Sequence, residues 1–160
     1  HREPGTAGAA LLFDELKVEL ISDGIHVRPE MIDLAVRVKG SDGALLITDA
    51  MRAKCLKSGR YELGGKPVNV ADGKATLDDG TLAGSILRMI DSVKNMLQLT
   101  GLSLAEISKL ASGNPAKQIG MYDRKGSIAV GKDADLVILS PELDIECTIC
   151  RGQVAYKAGK

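Results

Sequence analysis

Two short apolar segments, each running into a polar loop and then into a helical stripe, constrain this chain more than any other feature. The first, Lys17-Val18-Glu19-Leu20-Ile21-Ser22, alternates in polarity and gives way to Asp23-Gly24, which predicts a buried strand ending in a loop that carries His26. Pro29 can open a helix, because its missing N–H has no intrahelical partner to lose. Met31, Ile32, Leu34, Ala35 and Val38 follow at near-helical spacing until Gly40. The second segment, Ala44-Leu45-Leu46-Ile47, is apolar throughout, as expected of a parallel strand covered on both faces, and it stops at Thr48-Asp49. Strand, helix, strand and then helix is the repeating unit of an α/β barrel, but two such units cannot close eight strands, which takes roughly 250 residues. The chain, at 160 residues, reads as α/β and as part of a longer protein.

The second helical stripe is Ile86, Met89, Ile90, Val93, Met96 and Leu97, with Ser85 ahead of it and Gly101 expected as a left-handed cap behind. Between Asp49 and this stripe the texture changes. Residues 60–79 break into short pieces at Gly64-Gly65, Asp72-Gly73 and Asp79-Gly80, which predicts small antiparallel hairpins. Ser103 with Glu106 is a capping-box pair ahead of Leu104, Ile107, Leu110 and Ala111, a stripe that Gly113 interrupts. Asn114-Pro115 is expected to cap and start one further short helix, closed by Gly120. Beyond it the period becomes two-fold, and 127–130, 135–139, 145–149 and 153–156 are expected as antiparallel strands, with a frayed end at Ala158, Gly159 and Lys160.

Composition limits the function classes. Twenty-one basic residues balance 21 acidic ones, so no net field draws the chain to nucleic acid or an anionic membrane. Phe13, Tyr61, Tyr122 and Tyr156 are all the aromatics, too few for base stacking along a single strand. No apolar run approaches the roughly 20 residues of a membrane-spanning helix. The start, His1-Arg2-Glu3-Pro4-Gly5, is neither a Met start nor a signal peptide. Cys55, Cys147 and Cys150 make an odd count without disulfide-framework spacing, which suits a reducing cytoplasm.

Asp49 stands out because barrel enzymes carry their chemistry at the C-terminal ends of strands. An Asp after an apolar strand also serves as a turn former or helix cap. His26 follows the other candidate parallel strand and shares its rim, where Arg2 could join it. A guanidinium grips phosphate with two hydrogen bonds and an imidazole can donate one, although both side chains would also sit comfortably in solvent. Gly80-Thr81-Leu82-Ala83-Gly84-Ser85 lies ahead of the helical stripe and lacks phosphate-loop spacing, so it is expected to pack close to a sugar rather than a nucleotide. Cys147 and Cys150 lie in an alternating segment that points residues three apart to opposite faces. They are expected as buried structural thiols, and a four-ligand zinc site with only His1 and His26 to add would be contrived.

Read in order, His1-Arg2-Glu3-Pro4-Gly5, Ser22-Asp23-Gly24-Ile25-His26-Val27, Ile47-Thr48-Asp49-Ala50 and Gly80-Thr81-Leu82-Ala83-Gly84-Ser85 resemble the N-acetylglucosamine-6-phosphate deacetylase family. Asn114-Pro115-Ala116, Lys125-Gly126-Ser127-Ile128 and Gly131-Lys132-Asp133-Ala134-Asp135-Leu136-Val137 look like the signature of the wider amidohydrolase superfamily. The resemblance implies the last two βα units of a metal-dependent TIM barrel over residues 1–122, with a hairpin insertion at about 60–79. It also implies the C-terminal strands of a small β-sandwich over residues 123–160.

It further implies Asp49 as the general base and acid, and Arg2, Asp23, Gly24, Ile25 and His26 as contacts for the sugar phosphate. Leu82, Ala83 and Gly84 are implied as the lining for the sugar. The implied cofactor is a divalent metal, zinc or similar, held by a glutamate and two histidines from earlier strands; His1 is not among them, so no metal ligand is expected in this chain. The implied partners are a small amino sugar phosphate and a second subunit of a homodimer, with neither nucleic acid nor membrane. The reaction implied is hydrolysis of N-acetyl-D-glucosamine 6-phosphate to D-glucosamine 6-phosphate and acetate. The sequence leaves two alternatives open: an amidohydrolase for another N-acyl or cyclic amide substrate, and a non-catalytic structural or dimer-forming piece.

Overall fold

The chain is described by a computed structural model over residues 2–159, so the expectations attached to His1 and Lys160 lie outside the described residues. Strands β1 (Val18–Leu20) and β2 (Ala44–Leu46) pair in parallel, with Val18 opposite Ala44 and Leu20 opposite Leu46. All three residues of β2 are buried, the covering on both faces that its uninterrupted apolar run requires. The crossover between them is helix α2 (Pro29–Gly43), with Pro29 in the first turn and Glu30 beside the positive end of the helix dipole. Gly40 takes φ 65°, so the regular helix breaks at the residue where the apolar spacing ends.

Ile32, Ala35 and Val36 of α2 close over the strands, and Leu20, Ala44 and Leu46 meet them in one core together with Met96, Ile107 and Leu110. Burial of side chains such as Ile32, Leu46, Met96, Ile107 and Leu110 contributes about 1.5–3 kcal/mol each. Helix α1 (Gly5–Leu12) precedes β1 and lends Leu11 to this core. No periodic signal foretold it, since its Gly- and Ala-rich sequence carries no apolar stripe.

The expected hairpins form one antiparallel meander of β3 (Gly59–Leu63), β4 (Lys66–Ala71) and β5 (Lys74–Thr76). Asp72 and Gly73 both have positive φ, the conformation that an Asp-Gly pair supplies to a tight turn. Val68, Val70 and Ala75 build a second core with Met51, Ala53 and Ala83.

Helix α3 (Met89–Leu99) starts later than the stripe suggested: Arg88 occupies the cap position, and Ser85 lies outside the helix. Gly101 is not a left-handed cap either; the helix ends at Thr100, whose hydroxyl donates to the Met96 carbonyl at 2.7 Å. Helix α4 (Leu104–Ser108) carries the full capping box of Ser103 and Glu106. The expected interruption at Gly113 is a π-helical turn (Lys109–Gly113) that leads directly into α5 (Asn114–Gln118). Asn114 does not cap that helix. Its amide donates to the carbonyls of Ser41 at 2.7 Å and Ala44 at 2.8 Å, pinning the entry to β2.

Strands β6 (Leu136–Leu139), β7 (Ile145–Cys150) and β8 (Gln153–Lys157) form the C-terminal antiparallel sheet. The strand expected at 127–130 is absent. Its alternation has no neighbouring strand to pair with, and Ile128 and Val130 are 89% and 107% exposed. The thiols of β7 are not both buried as expected: Cys147 is half-buried and Cys150 exposed, and both are free.

Candidate active site

The parallel pairing continues one residue past β2, where the Ile47 N–H donates to the Leu20 carbonyl at 3.1 Å. Leu20 and Leu46 are register partners, so Asp23 and Asp49, three residues beyond each, leave the sheet at the same end. This is the carboxyl end, where open α/β sheets and barrels bind ligands.

Asp23 organises the first loop. Its carboxylate accepts the N–H groups of Ile25 and His26, both at 2.9 Å, and faces His26 Nδ1 at 2.6 Å. Gly24 sits at φ 71°, the left-handed conformation this turn demands. Burial pushes the Asp23 carboxyl up, but the His26 and Ile25 N–H groups and the His26 ring outweigh it and hold it below the usual carboxylate range. An ionised carboxylate can only accept, so Nδ1 carries the hydrogen between them. His26 Nε2 is enclosed and without a hydrogen-bond partner among the described residues.

Asp49 lies in the second loop, with an exposed side chain and a left-handed backbone at φ 46°. It caps no helix, since the next one is α3. Its peptide is tied to the segment before α3 by an isolated parallel bridge between Ala50 and Ser85. The Ser85 N–H donates to the Asp49 carbonyl at 2.8 Å, and the Met51 N–H donates to the Ser85 carbonyl at 2.9 Å. Gly84 must pass close: at φ 66°, a Cβ there would stand 3.2 Å from the Asp49 carbonyl oxygen. On its other side the same segment is stitched to the meander, with Leu82 bridged to Thr76 and the Ala83 N–H donating to the Ala75 carbonyl at 2.9 Å. Leu82, Ala83 and Gly84 therefore lie between the meander and the loop of Asp49. They do not present a helix N-terminus, because α3 begins only at Met89.

Arg2 is exposed ahead of α1, and no hydrogen bond or ion pair among the described residues joins it to Asp49, Asp23 or His26. Nor do the described residues include any group of three or more His, Cys, Asp and Glu able to hold a metal. They do not by themselves fit the divalent ion that the resemblance implies.

Sequence reasoning missed what steadies the rim. Ser22, directly before Asp23, is fully buried, and its hydroxyl meets that of Ser92 on α3 at 2.5 Å. The Asn95 amide donates to the Ser22 carbonyl at 2.8 Å. A signal was available in Ser92, which shares a helix face with Met89 and Met96 and so breaks an otherwise apolar stripe with a hydroxyl that needs a partner.

The amidohydrolase family model matches residues 14–155. The N-acetylglucosamine-6-phosphate deacetylase of Bacillus subtilis is 53% identical over 156 residues, which is 98% of this chain and 39% of that protein. A putative N-acetylgalactosamine-6-phosphate deacetylase of Escherichia coli K12 is 39% identical over 155 residues, and the chain covers 92% of it. The crystal structure of N-acetylglucosamine-6-phosphate deacetylase from Thermotoga maritima superposes with a TM-score of 0.93 at 44% identity, over 99% of this chain and 43% of that one. The chain thus spans about 40% of the length of the first curated relatives it matches. The expected α/β fold, part of a barrel followed by sandwich strands, is borne out.

Proposed function

Because the chain belongs to the amidohydrolase family, we propose that it supplies the C-terminal part of an N-acetylglucosamine-6-phosphate deacetylase. The observation that carries the proposal is the placement of Asp49: an exposed carboxylate at the carboxyl end of a buried parallel strand, its backbone fixed beside Gly84. Asp49 takes a proton from the water that attacks the 2-acetamido carbonyl and returns it to the departing amine, releasing acetate and D-glucosamine 6-phosphate. Among the described residues no hydrogen bond or ion pair engages its carboxylate, which leaves it free for both transfers. Leu82, Ala83 and Gly84 line the sugar, and Arg2 and the loop of Asp23, Gly24, Ile25 and His26 meet the sugar phosphate, with the Asp23 carboxylate holding that loop rather than touching the phosphate.

Residues outside this chain would hold the divalent metal, zinc or similar, that this reading calls for, and such an ion would supply Lewis-acid polarisation of the amide. The proposal also takes residues 1–122 as barrel and 123–160 as sandwich, the working protein as a cytoplasmic homodimer, and amino sugar metabolism as its setting. Free Cys55, Cys147 and Cys150 agree with a reducing compartment.

The test is acetate release by a full-length enzyme carrying this chain, assayed on N-acetyl-D-glucosamine and N-acetyl-D-galactosamine, each with and without the 6-phosphate. The expected order places N-acetyl-D-glucosamine 6-phosphate first. Preference for the galactosamine epimer, the substrate in the name of the Escherichia coli relative, would move the assignment to that sugar. Indifference to the phosphate would remove Arg2 and His26 from substrate binding.

A further inference from the structure

We propose that Ser85 is a positioning residue for Asp49, an inference that rests on the reading of Asp49 as the proton carrier. Ser85 is 2% exposed and uses all of its polar groups on the loop around that carboxylate or on its own turn. Its hydroxyl donates to the carbonyl of Thr48, 37 residues away in sequence, and accepts the Leu87 N–H at 3.1 Å. Its N–H donates to the Asp49 carbonyl at 2.8 Å, and its carbonyl accepts the Met51 N–H at 2.9 Å. The peptide groups on both sides of Asp49 are therefore held by a single residue.

Asp49 needs that hold. At φ 46° it occupies the left-handed region, which an Asp enters more readily than most side chains but still at a cost that bonds to its flanking peptides offset. Two of the four bonds are backbone bonds that any residue at position 85 retains. The hydroxyl is the removable part, and without it the part-buried Thr48 carbonyl and the buried Leu87 N–H lose their partner. The Asp49 loop then gains an alternative to the left-handed turn, and its carboxylate is no longer aimed from one place.

Catalysis is far more sensitive to such a displacement than binding is, since a shift on the order of 1 Å can cost about a hundredfold in rate. In the full-length enzyme, Ser85→Ala is expected to lower kcat roughly 10- to 100-fold while KM stays within about twofold. Ser85→Thr, which keeps the hydroxyl, is expected to restore most of the rate. Unchanged kcat in Ser85→Ala overturns the proposal. If Ser85→Ala does not fold, Ser85→Cys, of similar volume but a weak donor, carries the same expectation and the same overturning result.

A role limited to general stability is separated by combining the change with Asp49→Asn. If Ser85 acts through Asp49, Ser85→Ala leaves the residual rate of Asp49→Asn unchanged within about twofold. An equal loss in both backgrounds overturns the positioning role. Near-normal turnover of Asp49→Asn alone would instead sink the proposed function, so the two failures are distinguishable.

Discussion

Asp23 and Asp49 occupy equivalent places, three residues past paired strand positions, yet their surroundings give them opposite tasks. Asp23 spends its carboxylate on two N–H groups and the His26 ring, whereas Asp49 keeps its side chain exposed. The first therefore holds a loop, and the second stays free for the proton transfers proposed for it. Because the folded Asp23 carboxyl lies below its ordinary value, its contribution to stability is complete above the unfolded value of about 3.9. That contribution is lost as pH falls through the lower folded value. Urea midpoints measured from pH 6 downward should fall more steeply for the wild type than for Asp23→Asn, and parallel curves would show that the turn gains nothing from the charge. At Gly84 both the tight space and the left-handed backbone disfavour a side chain. Gly84→Ala should destabilise by about 1–2 kcal/mol through its left-handed φ alone, read as a lowered thermal midpoint, with the Asp49 carbonyl 3.2 Å away as a further obstacle.

Among the elements, those announced by local chemistry were legible and those made by distant partners were not. The buried parallel pair could be read because β2 is apolar at every position, and the meander because Asp72-Gly73 and Gly64-Gly65 supply its turns. The capping box at Ser103 and Glu106 needs only residues three apart. Asn114 reads locally as a cap, but its amide reaches back some 70 residues to Ser41 and Ala44. Residues 127–130 alternate like a strand, whereas the contacts beside them are Lys125 paired with Asp133 and Asp135 and Lys132 over the Tyr122 ring. The tie between Asp49 and Ser85 was equally invisible, since nothing in either segment's own pattern names the other. The Asn114 tie has a measurable consequence: Asn114→Ala leaves two carbonyls at the entry to β2 without a partner and should cost about 1–3 kcal/mol in urea unfolding. A loss below about 0.5 kcal/mol would show that water replaces the amide.

For the whole molecule, the sequence carried the architecture further than it carried the site. Both strands that frame the rim, and the residues beyond them, were readable from apolar runs and their stops. Which side chain holds a loop and which stays open depended on contacts across the fold. The described residues assemble two cores and a largely exposed C-terminal sheet, but no cluster fit for a metal. Prepared as these 160 residues alone, the chain should take up no stoichiometric metal and release no acetate, as checked by elemental analysis and an acetate assay. Stoichiometric metal together with turnover would show that the chain assembles a site of its own.

The most direct measurement is the turnover of a full-length enzyme carrying Asp49→Asn on N-acetyl-D-glucosamine 6-phosphate, with substrate binding followed in parallel by calorimetry. Binding should persist while acetate release falls by about a hundredfold or more, the loss of a positioned proton carrier. Acetate release close to the wild-type rate would contradict the role given to Asp49 and the hydrolytic reading built on it.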